Sequence, residues 1–256
     1  MKLSVVQPDL AWENKALNLL NLGRLLSSLY GKTDLVLLPE MFSTGFSMST
    51  DAFSEPPDGE TFLWMKEISE KGNFGICGSY IVHDGEKMFN RLLFTGPEKE
   101  KWIYDKRHTF TMGGENKHFA SGNKRLVFKF RGFRISPFIC YDLRFPVWSR
   151  NLNDTDLILY AANWPAERRN VWNILLKARA IENQCYVAGS NRIGTDGKGI
   201  HYSGDSAIIN PRGEIITSAD NGMEQCITAE LSIDELSDFR KKFPVLDDAD
   251  RFTIHY

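Results

Sequence analysis

Cys140 is the cysteine whose neighbours in the sequence are compatible with a catalytic role. The segment SPFI at residues 136–139 stops at it, and the polar segment YDLR follows. Where a strand turns sharply at a nucleophile, the side chain is exposed, and the next backbone N–H, here that of Tyr141, is free to face an oxyanion. Position alone leaves two interpretations open, a catalytic nucleophile or a buried structural cysteine at a strand end.

Glu40 follows directly on the apolar segment LVLLP at residues 35–39. A carboxylate that leaves a buried strand beside apolar walls has a raised pKa, and a general base that works near neutral pH needs such a pKa. The other interpretation is an ordinary surface glutamate or a residue at the start of a helix.

Lys106 opens the cationic segment KRH at residues 106–108, after the short apolar stretch WIY at 102–104. A lysine near a thiol favours the thiolate, since an isolated cysteine has a pKa of about 8.5. Its ammonium can also neutralise the oxyanion of a tetrahedral intermediate. The alternative is that this run of cations is simply a solvated face.

These three positions share a location as well as a complementary chemistry. Each lies at the C-terminal end of a predicted strand, the edge at which α/β sheets gather their sites. Cys140, Glu40 and Lys106 would supply the nucleophile, the base and the cation that acyl transfer needs. The three together therefore predict an acyl-transfer site.

The rest of the chain alternates short apolar runs, typical of strands, with amphipathic stretches, typical of helices. The predicted strands cover residues 3–6, 34–38, 74–82, 88–95, 126–130, 133–140, 156–162, 185–190, 206–210, 214–217 and 225–231. The predicted helices cover residues 19–29, 61–71, 171–181 and 233–242, the third with an apolar stripe of Val171, Ile174, Leu175, Ala178 and Ile181. Because no linker or repeat interrupts the pattern, residues 1–256 are predicted to form a single α/β domain with helices outside mixed sheets.

Composition and charge indicate which general class of protein the chain belongs to. Hydrophobic residues make up 42% and charged residues 25%, and 31 basic against 33 acidic side chains give a formal net charge of −2. This balance is ordinary for a globular protein and gives no reason to expect a nucleic-acid or membrane partner. The N-terminal apolar run breaks at Gln7, and no run approaches membrane-spanning length, so a cytoplasmic location is expected.

The remaining cysteines are Cys77, Cys185 and Cys226, and each lies inside an apolar run. Buried, reduced and inert thiols are predicted at these positions. No two cysteines are spaced as in a metal-binding or redox motif, so no metal site is predicted.

Several segments resemble the motifs of a known family. LPE at 38–40, DKRH at 105–108 and CYDLRFP at 140–146 resemble the three catalytic motifs of the nitrilase superfamily of carbon–nitrogen hydrolases, in that family's order and at its usual separations. QP at 7–8, ANWP at 162–165, RAIENQ at 179–184 and YSGDS at 202–206 extend the resemblance over nearly the whole chain. Among the branches, the chain is most similar to the bacterial ω-amidases, which hydrolyse the terminal amide of 2-oxoglutaramate and related 2-oxo acid amides.

The resemblance implies a fold and a fourth polar residue. The fold is a four-layer αββα sandwich, commonly dimerised through one helical face, so a homodimer is expected. The family places a glutamate shortly after the lysine, and Glu115 occupies that place in GGEN at 113–116. There it would orient Lys106 and the substrate rather than react. The implied chemistry needs no metal and no organic cofactor.

Arg144 is the candidate for binding the carboxylate of a 2-oxo acid amide. A guanidinium can hold a carboxylate through two parallel hydrogen bonds, and Arg144 lies four residues after the cysteine. The competing interpretation is that Arg144 pairs with Asp142 or another nearby acid and shapes the turn.

Other substrate-binding candidates are aromatic or cationic. Phe42 and Trp164 either wall the pocket or belong to the core. The neighbours Arg168 and Arg169 either approach the site or begin a solvated helix.

Three functions are compatible with these residues. The leading hypothesis is an amidohydrolase that releases ammonia from the terminal amide of 2-oxoglutaramate or 2-oxosuccinamate through a thioester on Cys140. The second keeps the enzyme class and changes the substrate to another small amide or a carbamoyl compound. The third is a catalytically silent scaffold or thiol-redox binder, and the intact set of Glu40, Lys106 and Cys140 argues against it.

Overall fold

The computed structural model describes residues 1–254 of the 256-residue chain, so the last two residues of the predicted domain lie outside the described residues. The helices are α1 (Lys15–Ser27), α2 (Thr50–Phe53), α3 (Glu60–Gly72), α4 (Arg169–Asn183) and α5 (Ile233–Lys242). The strands are β1 (Lys2–Gln7), β2 (Leu35–Leu37), β3 (Gly75–Asp84), β4 (Lys87–Thr95), β5 (Lys101–Asp105), β6 (Phe128–Phe130), β7 (Phe133–Ile139), β8 (Leu157–Ala162), β9 (Tyr186–Asn191), β10 (Ile193–Thr195), β11 (His201–Ser203), β12 (Ala207–Ile209), β13 (Ile215–Ser218) and β14 (Gln225–Glu230).

Within residues 1–254 the strands form two six-stranded sheets and one two-stranded hairpin. The first sheet has the order β14-β1-β2-β3-β4-β5, and the second has the order β13-β12-β9-β8-β7-β6. Three parallel strands lie at the centre of each sheet, β1 to β3 in the first and β7 to β9 in the second. Strands buried on both faces are expected to be continuously apolar, as LVL in β2 and LILYAA in β8 are.

The apolar core has two main parts. The larger cluster lies between the sheets, where Leu37 and Phe94 of the first sheet and Phe138 and Leu159 of the second are fully buried. The smaller cluster lies between the outer face of the first sheet and the helices α1 and α3, and it includes the fully buried Met65. With α4 on the outside of the second sheet, the layers follow the order helix, sheet, sheet, helix. The expected αββα sandwich is confirmed as a single α/β domain.

Helix α4 packs on the second sheet through a face that overlaps the predicted apolar stripe only in part. Trp172 and Leu176 are fully buried, and a Cβ on Gly189 of β9 would lie 2.6 Å from the Trp172 ring. In the apolar stripe, by contrast, Ile174 is 56% and Ile181 is 54% exposed. Val171 and Leu175 of the stripe are half-buried against the core, so only its outer part, at Ile174 and Ile181, is an exposed apolar face of the described chain.

The hairpin of β10 and β11 and the single-turn helix α2 were not predicted from the sequence. Each strand of the hairpin has only three residues, and the loop between them is DGKGI at 196–200. Such a segment lacks the alternation of apolar and polar residues that predicts a strand. This difference bears on function, because the hairpin contributes to the site.

The lengths and hydrophobicity of the helices bear on the expected location of the protein. Among residues 1–254 the structure contains no helix that is both long enough and apolar enough to cross a membrane. The cytoplasmic location stays a prediction.

Candidate active site

The three predicted catalytic residues leave their strands at the same end of the sandwich. Glu40 follows β2 and Lys106 follows β5, both in the first sheet, whereas Cys140 follows β7 in the second. Strand β5 runs in the same direction as β2, because β2 is parallel to β3 and the pairs β3–β4 and β4–β5 are antiparallel. The C-terminal strand ends of both sheets therefore contribute to one site.

The chain turns sharply at Cys140. Strand β7 ends at Ile139, and Cys140 begins a 3-10 turn, Cys140–Arg144, with a backbone φ of 43°. This left-handed conformation is uncommon for a residue with a side chain, and it occurs at nucleophiles held exposed at strand ends. Cys140 lies partly exposed in the wall of a cavity, with its Sγ 3.8 Å from the main-chain oxygen of Asn163. The first N–H groups of such a turn have no partner within it, so that of Tyr141 is available.

Glu40, Asn90, Lys106 and Glu115 form a buried polar group beside Cys140, here named the inner cluster. All four side chains belong to residues that are at most 1% exposed. Lys106 Nζ donates to Glu40 Oε1 at 2.7 Å and to Glu115 Oε2 at 2.8 Å. Asn90 Nδ2 donates to the same two carboxylates, at 2.8 Å and 3.0 Å. Because each buried charge has an opposite charge and further hydrogen bonds, the fold tolerates the burial of all three ions.

Asn90 and Asn163 belong to the site but were not predicted as site residues. Asn90 lies within β4, and its main-chain oxygen accepts a hydrogen bond from the Lys106 N–H at 3.0 Å. Asn163 follows β8, and its N–H donates to Glu40 Oε2 at 3.0 Å. Its Nδ2 donates to the main-chain oxygen of Glu40 at 2.5 Å. The signal that could have found them is a polar residue inside or directly after an apolar strand, the same signal that identified Glu40.

Burial is the largest influence on the proton affinities of the site. It raises the pKa of the Glu40 carboxyl, the charge of Glu115 adds to this rise, and the ammonium of Lys106 opposes it only in part. Burial, followed by the charge of Glu40, raises the pKa of the Cys140 thiol well above its ordinary value, and Lys106 offsets only part of this. Although burial lowers the pKa of Lys106, the carboxylates of Glu115 and Glu40 raise it above its ordinary value. The resting site thus holds a neutral thiol beside a base of raised pKa, rather than the thiolate that a lysine alone would favour.

Asp142 ties the 3-10 turn that begins at Cys140 to the end of β5. Its fully buried carboxylate accepts hydrogen bonds from Tyr104 Oη at 2.7 Å, from the His108 N–H at 2.9 Å and from the Ile139 N–H at 3.1 Å. It also lies 2.8 Å from His108 Nδ1. Arg144 is not among the partners of Asp142 within residues 1–254. The interpretation that these two residues pair is therefore wrong, because other donors already occupy both carboxylate oxygens.

The other three cysteines lie away from this cavity. Cys77 and Cys185 are buried, Cys226 is half-buried, and all four cysteines of the described chain are free thiols. Burial raises the pKa of Cys185 to about 12 and that of Cys226 to about 11. They are reduced core thiols as expected, although Cys226 is less buried than its apolar run predicts.

A cavity of about 250 Å³ opens beside Cys140. Glu40, Lys106 and Asn163 line its buried end, and the hairpin of β10 and β11 lines part of its open end. The aromatic rings in its wall are Phe46, Phe110, Tyr141, Trp164 and Tyr202. This volume is slightly below the usual range of about 300–1,000 Å³ for ligand pockets, so it suits a small molecule.

Three cations, here named the rim cations, line the more open part of the cavity: Arg144, Arg168 and Lys198. The Arg144 guanidinium lies 5.0 Å from the ring centroid of Trp164, and that of Arg168 lies 5.7 Å from that of Phe110. Lys198 is exposed in the hairpin loop. Within the described part of the chain, none of the three forms an ion pair with a carboxylate. Aromatic contacts thus support the two guanidinium groups while their N–H donors stay available.

Phe42 lies apart from the other predicted substrate-binding residues. Those that line the cavity are Tyr141, Arg144 and Trp164. Phe42 is fully buried in the core outside the first sheet, with its ring centroid 5.8 Å from that of Trp64 and 6.4 Å from that of Tyr80. Met41 has a φ of 43°, and after this turn Phe46, rather than Phe42, reaches the cavity wall. The prediction for Phe42 is therefore corrected: it is a core residue.

The sequence of the whole chain is similar to those of known enzymes. A family model for carbon–nitrogen hydrolases matches residues 2–241. The chain is 48% identical over 254 residues to omega-amidase YafV of Escherichia coli strain K12, which covers 99% of this chain and 98% of the relative. It is 30% identical over 254 residues to the 2-oxoglutaramate amidase of Bacillus subtilis strain 168, with 96% of each chain covered.

The similarity extends to a solved structure. XC1258 from Xanthomonas campestris, a CN-hydrolase superfamily protein with an arsenic adduct in its active site, is 40% identical and matches with a TM-score of 0.97. The match covers 100% of this chain and 99% of that one. The family model, the relatives and the fold agree: the chain belongs to the carbon–nitrogen hydrolase family and is a hydrolase acting on amides.

Proposed function

We propose that the protein is an ω-amidase, which releases ammonia from the terminal amide of small 2-oxo acid monoamides such as 2-oxoglutaramate and 2-oxosuccinamate. The main observation behind the proposal is that Cys140 and Arg144 line the same cavity. Cys140 lies beside the inner cluster, and the Arg144 guanidinium has no carboxylate partner within residues 1–254. The similarity to YafV and to the B. subtilis 2-oxoglutaramate amidase supports the substrate class.

The charges of the cavity favour one orientation of such a substrate. The inner cluster has two carboxylates against one ammonium, so its excess of negative charge repels an anion. The rim has three cations against the carboxylate of Asp196, which already accepts hydrogen bonds from the Ile200 N–H and the Tyr202 hydroxyl. A neutral amide therefore enters first, and the carboxylate of the substrate stays at the rim.

In the proposed reaction, Cys140 is the nucleophile and Glu40 is the general base. Glu40 takes the thiol proton as Sγ attacks the amide carbonyl. The pKa values of both groups are raised by burial, which suits a proton transfer between them. As Glu40 becomes neutral, negative charge develops on the carbonyl oxygen. Lys106, which binds Glu40 in the resting site, then turns its charge to this oxygen, and the Tyr141 N–H is the second donor.

Breakdown of the tetrahedral intermediate breaks the C–N bond. Glu40 returns the proton to the nitrogen, which leaves as ammonia, and the acyl group stays on Cys140 as a thioester. Glu40 then takes a proton from a water whose oxygen attacks the thioester carbonyl, the C–S bond breaks, and the sulfur recovers the proton. Glu115 binds Lys106 and accepts a hydrogen bond from the Phe110 N–H at 2.6 Å, so it holds the lysine in place.

Steady-state kinetics with a set of small amides tests this function. We expect kcat/KM for 2-oxoglutaramate to exceed the values for glutamine and for N-carbamoyl amino acids. Of these compounds, only 2-oxoglutaramate has a neutral amide at one end and, at the other, polar groups that all accept hydrogen bonds. Ammonia release is the readout. A clear preference for the carbamoyl compounds would contradict the ω-amidase proposal and favour a carbamoyl-amide hydrolase of the same family.

Matched cysteine variants in the same assay test the nucleophile. Cys140→Ala should abolish both ammonia release and the acyl adduct that mass spectrometry detects on the quenched wild-type protein. Cys226→Ala removes a half-buried thiol that does not line the cavity and should keep both. Ammonia release that persists in Cys140→Ala would overturn the mechanism.

The protein is further proposed to form a homodimer through the exposed face of α4. Ile174 and Ile181 of this helix and Ile215 of β13 are about half exposed, and Ile181 lies against Gly213 next to that strand. A contiguous apolar face of this kind marks an interaction surface, and a second copy related by a two-fold axis would cover it with the same face. Sedimentation equilibrium measures the mass, and a monomer would contradict the proposal.

A further inference from the structure

Arg168 is a second guanidinium of the cavity, and the mechanism above does not use it. It lines the cavity from the residue before α4. No carboxylate of residues 1–254 forms an ion pair with it. Its chain neighbour Arg169 differs, because it forms a two-point ion pair with Asp205, with Nε 3.1 Å from Oδ2, and it does not line the cavity.

Outside the cavity, the arginines of the described chain that are buried or half-buried have protein acceptors. Arg150 donates to the main-chain oxygen of Glu182 at 2.6 Å, whereas several others pair with carboxylates. The latter include Arg91, Arg125, Arg134, Arg179 and Arg240. Arg168 instead is half-buried in a cavity wall, lies on an aromatic ring and has no carboxylate partner within residues 1–254. Its N–H donors can therefore bind an acceptor group of a ligand. Since Arg144 alone can bind one carboxylate through two hydrogen bonds, Arg168 is available for a further acceptor.

We propose that Arg168 makes the site select 2-oxo acid amides over 2-amino acid amides, an inference that rests on the proposed ω-amidase function. A 2-oxo acid presents the ketone oxygen and the carboxylate oxygens side by side, and all of them are acceptors. Arg144 binds the carboxylate, and Arg168 donates to the ketone oxygen and the adjacent carboxylate oxygen.

A 2-amino acid amide presents the opposite chemistry at the same carbon. Its ammonium offers only donors and a positive charge, and it would face the donors and the positive charge of Arg168. The site would then discriminate by attraction to the ketone and by repulsion of the ammonium, the two contributions on which specificity depends. Arg168 is in this sense a specificity-determining residue of the amidase.

Three amides with the same carbon chain and the same carboxylate test the inference. 2-Oxoglutaramate has a ketone at carbon 2, the monoamide of glutarate has a methylene there, and glutamine has an ammonium. In Arg168→Met we expect kcat/KM for 2-oxoglutaramate to fall about 10- to 100-fold, as for the loss of a hydrogen bond to a charged group, and mainly through KM. The methylene compound should lose much less, and glutamine should be unchanged or improved, so that the preference for the ketone is largely lost.

Arg169→Met is the matched control, because it removes the neighbouring guanidinium, which pairs with Asp205, and it should keep the wild-type preference. Arg168→Lys keeps the charge but not the planar fork, so its preference should lie between those of wild type and Arg168→Met. Equal losses on all three amides, or an unchanged preference in Arg168→Met, would overturn the inference alone. A wild-type protein that fails to cleave 2-oxoglutaramate would instead overturn the proposed function, and this inference with it.

Discussion

The inner cluster and the rim cations are two charged regions of one cavity, and they are organised in opposite ways. In the inner cluster every charged group is buried and bound by an opposite charge, as Lys106 is by Glu40 and Glu115. At the rim, Arg144 and Arg168 are half-buried, lie on aromatic rings and lack carboxylate partners within residues 1–254. Under the proposed function, the difference separates two tasks: a closed set of partners holds the reacting groups in place, and an open set leaves donors for the substrate.

The same difference predicts how each region responds to mutation. Removal of one member of a buried ion network leaves an uncompensated charge and costs about 3 to 5 kcal/mol of stability. Removal of a rim cation leaves no buried charge behind, because these cations hold no carboxylate. Substitutions in the inner cluster should therefore lower both stability and activity, whereas substitutions at the rim should lower activity alone.

Lys106→Met should have the largest effect. It leaves the carboxylates of Glu40 and Glu115 buried together without a cation, so we expect a loss of about 3 to 5 kcal/mol in the free energy of unfolding near pH 7. It also removes the cation that we propose to face the oxyanion, so kcat should fall by at least about 100- to 1000-fold. Urea unfolding and steady-state kinetics measure the two losses.

The stability lost in Lys106→Met should depend on pH with a definite sign. Without the lysine, the two carboxylates repel each other, so the pair binds a proton more tightly in the folded state than in the unfolded chain. Unfolding then releases a proton at any pH above the ordinary glutamate pKa of 4.5 and below the raised pKa of the folded state. Stability in this window falls as pH rises, so the variant should be closest to wild type at low pH.

Lys101→Met, at the start of the strand that Lys106 follows, is the control for that variant. Lys101 is exposed, and its Nζ donates to the main-chain oxygen of Pro57 at 3.2 Å, so its removal leaves no buried carboxylate unpaired. Its stability should differ little from wild type in the pH window in which that of Lys106→Met falls. If Lys106→Met were as stable as this control, the inner cluster would not be the closed network described above.

Much of the inner cluster could be predicted from the sequence. Glu40 and Lys106 of this cluster, and Cys140 beside it, each follow a strand, and an apolar run that ends in an ionisable side chain is a local pattern that a sequence displays. Asn90 gave a weaker signal, because it lies within β4 and its role depends on which strand end faces it across the sheet. Pairing of that kind is decided by tertiary packing rather than by spacing along the chain.

The rim could not be predicted to the same degree, because small changes of backbone direction decide it. Arg168 and Arg169 are adjacent and identical in type, yet the start of α4 directs only Arg168 to the cavity. The left-handed conformation of Met41 likewise separates Phe42, in the core, from Phe46, in the wall. Residue type and spacing do not encode such directions.

Arg144→Met should have a smaller and purely functional effect. We expect KM for 2-oxoglutaramate to rise about 10- to 100-fold, because the variant loses charged hydrogen bonds to the substrate carboxylate. The free energy of unfolding should fall by only about 1 kcal/mol, the size of a cation–π contact that keeps part of its hydration, such as that of the half-buried Arg144 with Trp164. Kinetics and urea unfolding on the same preparation measure both quantities.

Lys198→Met is the companion to this variant and should have the smallest effect of all. Lys198 is exposed and has no planar fork, so it acts on the substrate as a screened charge, and its removal should raise KM only about 2-fold. That increase should disappear at an ionic strength of about 1 M, where the Debye length is about 3 Å, whereas the effect of Arg144→Met should largely persist because it reflects direct hydrogen bonds. A loss of stability in Arg144→Met as large as that in Lys106→Met would mean that the rim is a structural network too, and the division of the cavity into a closed and an open region would fail.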